Sequence, residues 1–151
     1  MKRYKRRFLA LCVSTVLPFM LCGPAESASD KSEVRGAAIL DHPCGKVAVK
    51  QMGLLHAGKF DEANKLSTKD MQDQWKAMPA NDRSMMSSMA KDMSETEEQF
   101  TAEVKANGLL VVDGQVATLT VQKKTKDANG TSTSTTTQNF KLTGGACMIS
   151  R

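Results

Sequence analysis

Four methionines, Met85, Met86, Met89 and Met93, crowd into the nine residues "MMSSMAKDM". Met85, Met89 and Met93 recur at every fourth position and therefore share one helical face, with Met86 one position round. Thioethers are soft donors, and converged on one face they could hold Cu(I) in an oxidising compartment. The same period is also the ordinary pattern of an adaptable packing face, turned to a core or to a partner. We read the stripe as packing, with no resident cofactor or metal, and keep Cu(I) binding as the rival chemistry. Trp75, Met78 and Phe100 extend the apolar set, so Trp75, Met78, Met86, Met89 and Phe100 form the expected ligand or partner surface.

The other chemistry-bearing residues are sparse. His56 stands in "LLHAGKF", ahead of a glycine break, where an imidazole sits well at the carbonyl end of a helix. His42 precedes a proline at a helix start, and both histidines read as structural. General acid–base work needs convergent polar groups. The only tyrosine is Tyr4, and the acids fall in "DEA", "KDMQD" and "SETEEQ", which read as helix surfaces and first turns. No catalytic set can be assembled from these residues, and the expectation is a protein that is not an enzyme.

The N-terminus bears on every whole-chain statistic. "MKRYKRR" followed by the apolar run "FLALCVSTVLPFMLC" and the small residues of "GPAESAS" has the three parts of an export signal. The run is short for a membrane span and Pro18 interrupts it. Residues 1–27 are assigned to the signal, with cleavage after Ser27, against the rivals of an uncleaved anchor and of a lipidated Cys22. The whole chain carries 21 Lys and Arg against 16 Asp and Glu, and removing five basic residues and Glu26 leaves 16 against 15. The basic excess thus belongs to the leader. No basic stripe with interleaved aromatics remains, which argues against nucleic acid as a partner.

Of four cysteines, Cys12 and Cys22 leave with the signal, and Cys44 and Cys147 remain. An even pair in an exported chain is most simply a disulfide; the alternatives are two free thiols, or a metal site that borrows His42 or His56.

The residues after the signal are enough for one domain with a modest core. Residues 28–38 are polar and small and read as a flexible lead-in, and 39–151 as a single α+β domain. "HPCGKVAVKQMGLLHAGKF" spaces Val47, Met52, Leu54, Leu55 and Phe60 as a helix, with Pro43 near its start and Gly58 ending it. A short helix from Phe60 carries Ala63 and Leu66. Ser67 or Thr68 caps the next, which Pro79 stops, and Asn81 or Asp82 caps another that holds the methionines. "QFTAEVKANGLLVVDG" and "QVATLTVQKKTK" then alternate like strands, with Ala117, Leu119 and Val121 on one face. "DANG" turns the chain into "TSTSTTTQNFKL", a wet return strand, and "GG" precedes a last strand, "ACMIS". Helices first and strands second point to α+β in place of alternating βαβ units.

Val47 to Leu55, "AGKFDEANKLST" (57–68), "VDGQVATLTV" (112–121) and "NFKLTGG" (139–145) together resemble the nuclear transport factor 2-like superfamily, and within it small exported bacterial proteins. The resemblance implies a cone in which N-terminal helices pack into a curved antiparallel sheet, often around a pocket, and homodimers by sheet packing. The chain departs from that pattern at its end, reading "GGACMIS" where such relatives carry a Gly-Trp-Lys-Ile-like strand. The expectation is a periplasmic or secreted binding protein that engages a protein partner in the cell envelope, as an inhibitor or immunity factor does. The alternative is a carrier of a small apolar ligand in a pocket around Trp75 and Phe100.

Overall fold

The computed structural model describes residues 31–127 and 130–151. The export signal, its cleavage point and residues 128 and 129 of the expected turn lie outside the described residues.

The elements run β1 (Lys31–Arg35), α1 (Ala38–Asp41), α2 (Pro43–His56), α3 (Phe60–Asn64), α4 (Lys69–Ala77), α5 (Ala80–Met93), α6 (Glu97–Asn107), β2 (Gly108–Asp113), β3 (Val116–Asp127), β4 (Gly130–Thr143) and β5 (Ala146–Ser150). The five strands make one antiparallel sheet in the order β1-β2-β3-β4-β5, so each strand lies beside its neighbour in sequence. This is an α+β chain, helices largely before sheet.

Helix α2 starts and stops as its residues dictate. His42 is its N-cap, its Nδ1 accepting from the Cys44 amide at 3.2 Å, and Pro43 occupies the first turn, where a missing amide hydrogen is harmless. Gly58, at φ +73°, takes the left-handed position after the last turn, and the Lys59 amide closes back on the Leu54 carbonyl at 2.8 Å. The face that α2 buries is made of small residues, Cys44, Gly45 and Ala48, which lets its backbone approach α1 and β5.

Three expectations are corrected. Lys31–Arg35, expected as flexible lead-in, is a strand paired with β2 from Lys31 opposite Asp113 to Arg35 opposite Leu109. Glu97–Asn107, whose later residues alternate like a strand, is helix α6. There a capping box at Thr96 and Gln99, each side chain bonded to the other's backbone amide, and the apolar pair Phe100 and Val104 outweigh the alternation. Finally, α5 begins at Ala80 with Pro79 as its N-cap, and neither Asn81 nor Asp82 caps it. Thr68 does stand at the N-cap of α4, without a side-chain bond to its first turn.

The long hairpin is as expected: β3 and β4 pair from Val116 opposite Lys141 to Asp127 opposite Gly130. One face of the sheet, with Leu110, Ala117, Leu119, Val121, Phe140, Cys147 and Ile149, meets Ile39, Cys44, Ala48, Phe100 and Val104 from the helices in a single core. On the other face Thr118 Oγ1 donates to Asn139 Oδ1 at 3.1 Å. Beyond Val121 and its partner Thr136, past the reach of β2 and β5, β3 and β4 continue as a two-stranded ribbon with exposed Thr131 to Thr135.

Two ties fasten the last strand. Cys44 and Cys147 form a disulfide between α2 and β5, with Cα atoms 5.1 Å apart. The segment Leu66–Thr68 lies along the free edge of β5, where the Thr68 amide donates to the Ile149 carbonyl at 2.8 Å and the Ile149 amide donates to that of Leu66 at 3.0 Å. Covering an edge in this way removes a template for pairing with another chain.

Candidate binding surface

Between the β5 edge and the start of α6 the chain makes an arm of two helices, α4 and α5, neither of which contains a buried residue. A helix of fourteen residues with nothing buried is unusual inside a single domain, because packing of an apolar face is what stabilises most protein helices. Its apolar residues are in the open. Met85, Met86, Met89 and Met93 are 59%, 47%, 55% and 80% exposed. The core-packing form of the expectation for this stripe is therefore corrected, and the outward-facing form is what the fold presents.

At about 100° per residue, Met85, Met89, Met93 and Met86 stand at roughly 0°, 40°, 80° and 100° around the axis. The α5 residues that look back toward the body, Arg83, Ser84, Ser87, Ser88 and Lys91, occupy the arc from roughly 160° to 300°. The four thioethers thus point away from the domain, while the inward arc is polar. Between that arc and α2, α3 and α4 lies an open cleft of about 670 Å³, lined by Gly58, Phe60, Asp61 and Trp75 on the body side. Polar residues along this seam explain why α5 buries nothing.

Trp75 is half-buried at the edge of the cleft, and its indole Nε1–H donates to Asp61 Oδ1 at 3.1 Å, joining α4 to α3. Met78 is half-buried at the C-cap of α4, next to Pro79. Phe100 does not belong with them: it sits on α6, only 3% exposed, inside the core against the sheet. Of the expected surface, Trp75, Met78, Met86 and Met89 are accessible and share the arm, and Phe100 is withdrawn from it. The reason is α6 itself, since a helix places Phe100 and Val104 together on the core-facing side.

His56 lies in the last turn of α2, and its Nδ1–H donates to the Ser94 carbonyl at 3.0 Å, securing the far end of α5 to the body. Burial holds the His42 imidazole below its ordinary pKa, and its Nδ1 is spent on the Cys44 amide. Both histidines have structural partners. Several acids do likewise: Asp73 pairs with Lys69 at 2.8 Å, and Lys123 on β3 pairs with Glu103 at 2.9 Å and with Glu95, bonds that raise its pKa. Among the described residues no three His, Cys, Asp or Glu side chains gather in a way that could hold a metal ion. None of the described helices is long and apolar enough to cross a membrane. The signal that could have found α6, and so moved Phe100 inward, is the spacing Thr96 to Gln99; Arg83 and Lys91 in the cleft carry no such signal.

No family model, no curated protein and no solved structure matches this chain.

Proposed function

We propose that this chain is an exported, disulfide-stapled binding protein of the cell envelope, built on a nuclear transport factor 2-like cone, that engages a protein partner through the α4–α5 arm and does not act as an enzyme. The observation that carries the reading is the outward methionine face of α5. A run of exposed unbranched apolar side chains on a helix without buried residues is adaptable contact surface, the kind that promiscuous protein-binding faces use. Met78 stands at the C-cap of α4, where the chain passes into α5, while Trp75 faces the cleft on the other side of α5. The disulfide supports maturation in an oxidising compartment. The helix-then-sheet order and the single helix-covered sheet face support the cone.

The apolar-ligand alternative is weaker. The 670 Å³ cleft that Trp75 borders is walled mainly by Asp61, Arg83, Ser84, Ser87, Ser88 and Lys91, and the more apolar hollow that Trp75 shares with Leu55, Phe60 and Met71 is only about 130 Å³. Sites for drug-sized ligands run from about 300 to 1,000 Å³.

The test is covalent capture in the native envelope, with a photo-crosslinking side chain in place of Met89. A single stoichiometric protein adduct, lost in a chain carrying Met86→Asp and a charged residue at Met85, is the expected result. An adduct with a second copy of this chain would make the arm a dimer interface. No adduct, or one indifferent to the added charges, would exclude the arm as the contact.

A further inference from the structure

We infer that the methionine face of α5 is a binding site for a monovalent soft metal ion, Cu(I), held by the thioethers of Met85, Met86 and Met89, with Met93 supplying a fourth from the next turn. The site goes beyond the partner reading and does not depend on it. Its centre is Met89, which lies one helical turn from Met85, from Met86 and from Met93. Side chains so spaced have Cβ atoms about 5–6 Å apart. Helical side chains all lean toward the N-terminus alike, so the methionines keep this turn-to-turn spacing along one face. Three thioether donors around one small cation need no more convergence than this, because methionine has three rotatable bonds to adjust.

The surroundings suit a cation. Both basic residues of α5, Arg83 and Lys91, are on the opposite arc in the cleft wall. Asp82 falls within the methionine arc at roughly 60°, and Asp92 borders it at roughly 340°. All four methionines are exposed, each at 47% or more.

Donor chemistry selects the ion. Both described cysteines are consumed in the disulfide, so no thiolate competes. Soft thioether sets prefer Cu(I), whereas Zn(II) is taken by thiolate and imidazole and the hard divalent ions by oxygen. A thioether neither titrates in the physiological range nor forms a disulfide, so the donor capacity of this face is independent of mildly acid pH and of disulfide exchange.

Ag(I), which shares the charge and softness of Cu(I) and requires no reductant that would open the disulfide, is the probe. The oxidised protein, its methionine methyls labelled with carbon-13, is titrated with silver nitrate in chloride-free buffer. One ion per chain is expected, moving the methyl resonances of Met85, Met86 and Met89 and leaving those of Met52, Met71 and Met148 in place. Met86→Leu with Met89→Leu should weaken binding at least tenfold with unchanged circular dichroism. Leucine keeps the apolar surface, so a protein partner would still be captured by that variant, and the two readings fail separately. Absence of an adduct, shifts spread over all methionines, binding untouched by the leucine pair, or equal displacement by Zn(II) would each overturn the site.

Discussion

Cys44, in the first turn of α2, is bonded to Cys147, near the start of the last strand, across 103 residues of sequence. The bond joins the two halves of the chain, helical and stranded, at a point where both residues belong to the core. Closing a loop of this size restricts the unfolded chain by an amount worth about 4–5 kcal/mol in the chain-entropy picture. Replacing both cysteines by alanine is expected to remove most of that stability, read as a lower urea midpoint. A midpoint within experimental scatter of the parent would mean that the helices hold the sheet without the staple.

Gly45 should reverse the usual rule for glycine in a helix. An alanine there ordinarily gains about 1 kcal/mol of helix propensity. At this position the added Cβ would stand 1.8 Å from the Ile39 carbonyl oxygen, which is backbone and cannot swing aside. Gly45→Ala is expected to destabilise by about 1–3 kcal/mol, as overpacked cores do. Equilibrium unfolding gives the sign directly, and a stabilised variant would show that α1 is free to retreat from α2.

His42 makes stability depend on pH. Burial lowers its folded-state pKa from 6.5, so on acidification the unfolded chain takes up the proton more readily than the native one. The contribution is complete above pH 6.5 and declines as the pH falls through the lower folded-state value, with loss of the acceptor for the Cys44 amide. Unfolding midpoints at pH 7.5 and 5.5 should differ less in His42→Asn, which keeps an acceptor that does not titrate. At pH 7.5, His42→Ala should cost about 1 kcal/mol, a typical N-cap. An unchanged pH slope in the asparagine variant would assign the acid sensitivity elsewhere.

Thr96 and Gln99 start α6, and α6 carries Phe100 and Val104 into the core. Thr96→Ala is expected to lose about 1 kcal/mol. Amide exchange should quicken first in α6, because the frayed turn precedes Phe100. Uniform loss of protection across the sheet as well would mean that the helix start and the core unfold as one unit.

The hairpin of β3 and β4, the end of α2 at Gly58 and the Cys44–Cys147 pairing were all legible in the sequence, each from a strong local or compartmental signal. Strand alternation over a dozen residues, a glycine after an apolar run and a lone pair of cysteines leave little choice. The beginning of α6 was legible too, in the Thr96–Gln99 spacing, but "QFTAEVKANGLL" carries both periods at once. Phe100 and Val104 fit a helix, while the run into Leu109 and Leu110 belongs to the strand that follows without a loop. β1 had no local mark, since "KSEVR" is polar and only one of its residues, Val34, turns to the core. Its strand exists because β2 offers an edge.

What the sequence by itself determined is the chemistry available: the cysteines Cys44 and Cys147, histidines near helix ends, and four thioethers within nine residues on one helical period. Only the tertiary structure decided which way those thioethers face. An amphipathic period states that apolar side chains share a stripe and is silent on whether the stripe meets the domain or the solvent. Here the opposite arc of α5, with Arg83, Ser84, Ser87 and Lys91, forms one wall of the polar cleft. The domain's apolar core had already been filled by α1, α2 and α6 against the sheet, and the methionines were left outside it.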